Sequence, residues 1–218
     1  MHETTKAGEA KATRGKQTLE PRLKGLDRHA ALLVVDVQRG FDDPAWGPRN
    51  NPSAEANVAK LIAAWRVAGG PIFHTIHDSP ASSGRLRRGT PGNEIKPEAA
   101  PLASEKVYRK SVNSAFIGTT LEVDLRTLGI KTVVIVGLTT NHCISTTARM
   151  AGNLGFTTFV LSDATATFER ASLGGRVRSA DDVHHAALCD LQDEFAEIVD
   201  TDAVIAALAI QGEAHVSS

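Results

Sequence analysis

The sequence predicts an α/β fold: a Rossmann-like three-layer sandwich with a six-stranded, mostly parallel sheet and helices on both faces of the sheet. Short apolar runs alternate along the chain with segments of helical periodicity, an order typical of βαβ units. The first run, AALLVVDVQ at residues 30–38, stays apolar up to Asp36, which indicates a strand buried on both faces. The length of 218 residues fits one domain of this class.

The other five strands are predicted from short apolar runs that end at turn residues or at a change of periodicity. In chain order these runs are PIFHTIH (71–77), EKVYRK (105–110), KTVVIVG (131–137), FTTFVLSDA (156–164) and FAEIVD (195–200). The second of them breaks near Lys110, where small polar residues follow.

Helices are predicted between the strands from start and stop signals. The first begins at Pro52 and Ser53 and stops at Gly69, with an apolar stripe made by Val58, Leu61, Ile62 and Trp65. Three further helices are predicted over residues 119–129, 141–154 and 201–209. Another runs through Leu191, and a capping-box pattern at Ser179 and Asp182 precedes it.

The chain divides into a flexible N-terminal arm at residues 1–28, one domain at residues 29–212 and a short tail at residues 213–218. The arm is predicted because its residues are charged, small and aperiodic. Residues 78–104 are rich in Gly, Pro, Ser, Ala and Arg and predict a long loop, a feature that is usually functional or disordered in a compact domain.

Composition excludes several classes of protein. A formal net charge of −1 does not indicate nucleic acid or an anionic membrane as a partner. No apolar run approaches the roughly 18 residues that span a bilayer, and the N-terminus has no apolar segment typical of a signal peptide. With only Cys143 and Cys189, the chain has no disulfide framework, and we expect a reducing, cytoplasmic setting.

Three reactive side chains follow three predicted strands. Asp36 closes the first strand, Lys110 ends the third, and Cys143 lies where the helix begins after TVVIVG. Because ligands of open parallel sheets bind beyond the carboxyl ends of the strands, an acid, an amine and a thiol there predict a nucleophilic site. Singly, each residue has a structural alternative. Asp36 could be a strand-end cap, Lys110 a surface charge, and Cys143 a small residue at a helix start.

The chemistry of such a site follows from its residue types. A free thiol has a pKa of about 8.5, and a helix N-terminus and the Lys110 ammonium are expected to lower the pKa of Cys143 toward neutrality. Asp36 would accept the thiol proton and return it to a leaving group. Lys110 would hold Asp36 in place. Backbone N–H groups of Thr139 and Cys143 would bind the oxyanion of a tetrahedral intermediate.

Four segments, LLVVDVQRGF, RKSVNSAFIGTTLEVDLRTLGI, VVIVGLTTNHCISTTARMAGNLGF and LSDATATF, resemble the isochorismatase-like cysteine hydrolases. That superfamily includes nicotinamidases, N-carbamoylsarcosine amidases, ureidoacrylate amidohydrolases and isochorismatase. The resemblance extends over about residues 30–210. It implies that Asp36, Lys110 and Cys143 form a catalytic triad. It also implies hydrolysis of a C–N bond through a thioester, and a cis peptide bond between Leu138 and Thr139.

The sequence departs from two members of that superfamily. Nicotinamidases carry an Asp-x-His metal motif after the first strand, but FDDPAWGPRNNPSAE contains no histidine, and we predict neither a metal nor a cofactor. Isochorismatase lacks the cysteine, so Cys143 favours cleavage of a small amide, lactam or carbamoyl compound. The alternatives are a non-amide hydrolase and a non-catalytic binding or redox-sensing protein. The resemblance further implies a homodimer or homotetramer, with the 78–104 loop closing over a neighbour.

Five residues near the predicted triad are candidates for substrate binding, and four of them have an alternative role. Phe41 lines the pocket or belongs to the core, and Trp46 stacks on a planar substrate or contacts another subunit. Asn141 contacts substrate or caps the helix. His142 faces substrate or solvent. Gln38 follows Asp36 closely and is expected to line the pocket.

Overall fold

The structure is a computed structural model that describes Leu23, Leu26 and residues 28–216, with side chains through residue 210. The described residues form eight strands: β1 Ala31–Val35, β2 Ile72–His77, β3 Lys106–Lys110, β4 Thr132–Leu138, β5 Thr157–Ala166, β6 Arg170–Ala171, β7 Val177–Arg178 and β8 Glu197–Val199. Within the same part of the chain there are five α-helices: α1 Ala54–Ala68, α2 Leu121–Thr127, α3 Ser145–Asn153, α4 Ala180–Cys189 and α5 Thr201–Val216.

Six of the strands form one sheet in the order β3-β2-β1-β4-β5-β8, and every neighbouring pair is parallel. Alternate residues of β1 enter two separate hydrophobic clusters: Leu32 and Val34 lie in one, Leu33 and Val35 in the other. Because both faces of β1 are covered, its sequence carries no polar alternation. The predicted three-layer sandwich is confirmed.

The helices follow the signals that predict them. The predicted stripe of α1 is fully buried, and the helix ends at Gly69, which is left-handed with φ 71°. Residues of α1 and α5 belong to the first cluster, whereas residues of α2 and α3 belong to the second. The Ser179 side chain accepts a hydrogen bond from the Asp182 N–H at the start of α4, as the capping pattern predicts.

Gly137 in β4 allows the two central strands to approach closely. Its φ is 118°, and a Cβ atom there would lie 2.0 Å from the carbonyl oxygen of Val35. Only glycine fits this conformation and this space. The close approach brings the end of β4 beside the end of β1, where the candidate site lies.

Several boundaries differ from the sequence predictions. The antiparallel hairpin of β6 and β7 is not predicted, because its strands are two residues long and exposed. The helix α5 continues to Val216, past the predicted domain end at residue 212. Most of the predicted arm at residues 1–28 lies outside the described residues. Leu26, however, is 3% exposed and packs in the core, so the arm prediction is wrong at that position.

The 78–104 loop is folded against its own chain. The Arg39 N–H donates to the Glu94 carbonyl at 2.9 Å, and the Lys96 N–H donates to the Val37 carbonyl at 2.9 Å. These backbone bonds tie the loop to the segment that leaves β1, so it borders the carboxyl edge of the sheet. Within the part of the chain that the structure describes, no helix is both long and apolar enough to cross a membrane.

Candidate active site

The carboxyl ends of four neighbouring strands bring the predicted reactive residues together. Asp36 follows β1, Lys110 ends β3, and Cys143 follows β4 after a short turn. In the register of β2 and β3, His77 pairs directly with Lys110. Since these strands are parallel and adjacent, all four side chains lie at one edge of the sheet, which is where such sheets bind ligands.

Asp36 and Lys110 form an ion pair whose two side chains are both completely buried. Lys110 Nζ donates to Asp36 Oδ2, and Thr75 Oγ1 donates to Asp36 Oδ1 at 2.6 Å. Asp36 itself has a left-handed backbone with φ 51°, an uncommon conformation for a residue other than glycine. Each carboxylate oxygen therefore has a fixed hydrogen-bond donor, which sets the orientation of the acid.

Cys143 lies in a π-helical turn, Thr140–Ile144, that precedes α3. Its Sγ, a ring nitrogen of His77 and a carboxylate oxygen of Asp36 all lie within 4.8 Å of one another. The thiol donates to Asn113 Oδ1 at 3.7 Å, and the residue is 6% exposed. The sulfur is thus next to the acid, although it is almost completely covered.

The expected lowering of the Cys143 pKa is wrong for this arrangement. Burial raises the pKa of the thiol far above its usual range, and the charge of Asp36 raises it further, whereas Lys110 lowers it. The ammonium favours the thiolate, as expected, but the loss of water around the sulfur outweighs it. The thiol consequently keeps its proton near neutral pH, and it would need a base to act as a nucleophile.

Thr139 connects the reactive edge to an open cavity. The peptide bond between Leu138 and Thr139 is cis. The Thr139 carbonyl accepts from the N–H groups of His142 at 3.1 Å and Ile144 at 3.2 Å, and this pattern builds the π-helical turn that carries Cys143. Thr139 also borders a cavity of about 380 Å³.

That cavity has an aromatic wall and a polar rim. Trp46 and Phe168 are nearly parallel, with ring centroids 5.4 Å apart and an interplanar angle of 22°. The Trp46 indole N–H donates to the Gly40 carbonyl at 2.8 Å, which fixes the ring. The full lining is Trp46, Thr139, Asn141, His142, Thr167, Phe168, Glu169, Arg170 and Ala171.

Three of the five predicted substrate-binding candidates line this cavity: Trp46, Asn141 and His142. Thr167 Oγ1 donates to Asn141 Oδ1, so the side-chain amide of Asn141 is held by the residue that directly follows β5. His142 Nε2 accepts from the Arg170 guanidinium, and burial followed by the Arg170 charge lowers the pKa of His142. His142 is therefore a neutral side chain at the rim of the cavity.

The other two candidates do not line the cavity. Phe41 is 5% exposed and packs 5.5 Å from Trp46 and 6.2 Å from Phe168, centroid to centroid, so its core alternative is the one observed. Gln38 is completely buried, and its amide binds the backbone of His77. The prediction that Gln38 lines the pocket is wrong, because both ends of its amide are already used inside the protein.

Several residues of this region carry no sequence signal strong enough to find them. His77 and Thr75 look like ordinary members of a strand, and Asn113 belongs to an irregular segment. Phe168, Glu169 and Arg170 reach the cavity because β5 is longer than its apolar run suggests. Only the presence of three polar residues, His74, Thr75 and His77, among the last four residues of β2 indicates that this end of the strand faces a polar site.

Asp36, His77 and Cys143 are also the only group of potential metal ligands found among the described residues. The ammonium of Lys110 already contacts Asp36 and lies 3.4 Å from His77 Nδ1. A positive charge at that point opposes a divalent cation. The arrangement therefore suits proton transfer better than metal binding.

A family model described as the isochorismatase domain matches residues 30–203. The chain belongs to the isochorismatase family. The Bacillus subtilis protein YrdC, named as an uncharacterised isochorismatase family protein, is 44% identical over 180 residues, which cover 83% of this chain and 96% of YrdC. A crystal structure of an isochorismatase-family protein from Chromobacterium violaceum has 43% identity and a TM-score of 0.82, and the match covers 84% of this chain and 95% of that one.

Two relatives in this family have names that state an activity. Nicotinamidase 3 of Arabidopsis thaliana is 35% identical over 186 residues, 79% of this chain and 85% of the relative. Maleamate amidohydrolase of Pseudomonas putida is 32% identical over 192 residues, 80% of this chain and 84% of the relative. This chain is an isochorismatase-family hydrolase, and related members act on amides.

Proposed function

We propose that this hydrolase is a cysteine-dependent amidohydrolase that cleaves a C–N bond of a small amide, lactam or carbamoyl compound through a thioester. One observation carries the proposal: the Cys143 sulfur lies within 4.8 Å of an Asp36 carboxylate oxygen, and that carboxylate is held by Lys110 and Thr75. A thiol that keeps its proton at rest becomes a nucleophile when a fixed base lies beside it.

In the acylation half of the reaction, Asp36 accepts the thiol proton as the sulfur of Cys143 attacks the carbonyl carbon. The N–H groups of Thr139 and Cys143 hydrogen-bond the oxyanion that develops on the carbonyl oxygen. Asp36 then gives its proton to the nitrogen of the leaving group. The C–N bond breaks, ammonia or an amine departs, and a thioester remains on the enzyme.

In the deacylation half, water replaces the departed amine. Asp36 accepts a proton from that water as its oxygen attacks the thioester carbon. The C–S bond breaks, the proton returns to the Cys143 sulfur, and a carboxylic acid leaves. Lys110 stays beside Asp36 throughout, where its charge stabilises the carboxylate and the transient thiolate. The cycle needs water as its only co-reactant.

The size and lining of the cavity support a small substrate. A cavity of about 380 Å³ lies near the lower end of typical ligand pockets. The parallel rings of Trp46 and Phe168 would contact the flat face of a planar acyl group. Nicotinamide, which the name of the Arabidopsis relative implies, and maleamate, from the name of the Pseudomonas relative, are both small planar amides.

Two alternatives compete with this proposal. A non-amide hydrolase of the isochorismatase type would not need the sulfur. A redox sensor would need a thiolate at rest, since the thiolate is the form that oxidants attack, and the raised pKa of Cys143 weighs against it.

The test is release of ammonia or amine from a panel of small amides, lactams and carbamoyl compounds. We expect the purified protein to hydrolyse at least one of them, and Cys143→Ala to reduce turnover to background while keeping the folded circular dichroism spectrum. Cys189→Ala is the matched control, because Cys189 is exposed on α4 and should leave turnover unchanged. A Cys143→Ala protein that turns over the amide as fast as the parent would refute the mechanism.

We also propose that the protein works as a homodimer or homotetramer, as the family resemblance implies, and that it works without a metal or cofactor in a cytoplasmic setting. Sedimentation of the purified protein would measure its mass directly. Metal analysis of the active protein, followed by an assay after chelation, would separate a cysteine mechanism from one that depends on a metal.

A further inference from the structure

His77 is held unusually firmly at the end of β2. Its N–H donates to Gln38 Oε1 at 2.8 Å, and its carbonyl accepts from Gln38 Nε2 at 3.1 Å and from Asn93 Nδ2 at 2.9 Å. Gln38 is completely buried and Asn93 is 6% exposed. Two buried amide side chains therefore fix the backbone of His77, and with it the position from which its side chain starts.

The imidazole points at the ammonium of Lys110. Lys110 Nζ lies 3.4 Å from His77 Nδ1, 3.2 Å from the Val112 carbonyl, and in hydrogen-bond contact with Asp36 Oδ2. An ammonium has three hydrogens and no acceptor, so it is the donor in each of these three contacts. For the same reason His77 Nδ1 acts as an acceptor here, and the proton of the neutral ring lies on Nε2.

We propose that His77 is a positioning residue of the proposed amidohydrolase: its uncharged imidazole accepts one hydrogen of Lys110 and keeps the ammonium directed at Asp36. This inference rests on the proposed function for its kinetic readout. The ring does not need to touch the substrate, because its effect reaches the reacting atoms through Lys110 and Asp36. A ring nitrogen of His77 also lies within 4.8 Å of the Cys143 sulfur, so the main alternative is that the ring acts directly on the thiol.

The electrostatic surroundings keep the ring uncharged. Burial lowers the pKa of His77, and the charge of Lys110 lowers it further, whereas Asp36, Asp78 and a backbone hydrogen bond with Val112 raise it without reversing the direction. The thiol of Cys143 also faces the ring, but it carries its proton at rest. Protonation at Nδ1 would remove the acceptor and place a second positive charge beside Lys110. Activity should therefore fall on the acidic side as His77 gains a proton, below its ordinary value of about 6.5.

Two substitutions separate the roles of the ring. His77→Asn places an amide oxygen near the position of Nδ1 and keeps the acceptor, whereas His77→Leu removes it. We expect His77→Leu to lower kcat by about 100-fold with KM unchanged, the size of effect caused by misplacing a catalytic group. His77→Asn should recover most of that loss, and the acidic limb that the histidine causes should disappear from its pH profile. His185→Leu, an exposed histidine on α4, is the matched control.

A second readout does not depend on amide turnover. In a Cys189→Ser background, the rate of Cys143 alkylation by iodoacetamide is measured against pH for the parent and both His77 variants. We expect a slower reaction in His77→Leu that His77→Asn restores. If the parent hydrolyses no amide, the proposed function fails, but this pattern still decides the role of His77.

Two outcomes would overturn the inference. If His77→Asn is as inactive as His77→Leu while both proteins melt like the parent, the ring acts on the reacting atoms themselves. If neither variant differs from the parent in kcat or in alkylation, the contact with Lys110 has no kinetic role.

Discussion

Lys96 and Lys110 are both buried lysines, but they lie in very different surroundings. Lys96 is 6% exposed and binds two carboxylates, Asp42 and Glu55, and Arg49 also binds Glu55 at 2.7 Å. Lys110 is 3% exposed and binds one carboxylate, a carbonyl and a neutral imidazole, beside a thiol. The first group balances two positive charges with two negative ones, whereas the second balances one pair and adds neutral reactive groups.

The difference separates a structural network from the one that we propose to be catalytic. In the Lys96 group each charge is compensated by another, so no positive charge is left over to stabilise a new negative one. The same contacts join the 78–104 loop to α1. In the Lys110 group the cation lies where a thiolate would form. A positive charge close to a group that becomes negative only during the reaction is the arrangement expected of a catalytic site. Substitutions in the two groups should therefore have different readouts.

The largest effect is expected from Lys110→Met. The change leaves the completely buried Asp36 carboxylate without its ion-pair partner, which should cost about 4 kcal/mol of unfolding free energy. Amide turnover should fall by about 1,000-fold because the base is no longer oriented. Denaturant unfolding and kcat measure the two effects. A folded Lys110→Met protein with near-normal turnover would show that the cation is only structural.

Lys96→Met is the matched substitution in the other group. Glu55 keeps Arg49, so we expect a smaller loss of about 3 kcal/mol of unfolding free energy. For a protein of this size that loss corresponds to about 6–12 °C in melting temperature. Turnover below the melting range should stay within about twofold, because Lys96 touches none of the reacting groups. A large fall in kcat without a fall in stability would remove the contrast between the two lysines.

Acid should weaken the Lys96 group through Glu55. Burial acts to raise the pKa of Glu55, but hydrogen bonds from Arg49 and Lys96 prevail and lower it from 4.5 to about 2. The resulting stability is present above the unfolded value and is lost as the pH falls from 4.5 toward about 2. A shift of this size corresponds to about 3 kcal/mol. In Glu55→Gln, unfolding free energy should depend less on pH across that window, and an unchanged slope would contradict this assignment.

Much of this fold could be predicted from the sequence because its signals are local. The apolar run of β1, the Gly69 stop of α1 and the Ser179 cap of α4 each depend on residues within one element. The meeting of Asp36, Lys110 and Cys143 also follows from one rule, that parallel strands end at the same edge. The hairpin of β6 and β7 has no such signal, since two-residue strands carry no periodicity.

The errors at the site share a physical cause, which is that burial is decided by the whole fold. The helix start and the lysine near Cys143 suggest a lowered thiol pKa, but the packing around the sulfur reverses the direction. Gln38 is expected in the pocket because it lies two residues after Asp36 in the chain. In the structure both ends of its amide bind the backbone of His77 on the neighbouring strand β2. The sequence does not single out His77, because its contacts with residues at the ends of β1 and β3 depend on how the strands pack.

The smallest effect that still distinguishes the two groups is expected from Thr75→Val. Thr75 is 1% exposed, and its hydroxyl donates to Asp36 Oδ1 at 2.6 Å. Loss of a buried hydrogen bond to a charged group should cost about 2 kcal/mol of unfolding free energy. Turnover should fall by about tenfold, because Asp36 keeps Lys110 but loses the contact that fixes its second oxygen.

Combined with Lys110→Met, the two losses should not add, since both act through one carboxylate. Combined with Lys96→Met they should add, and a coupling between Thr75 and Lys96 as large as that between Thr75 and Lys110 would show that the two buried networks behave as one.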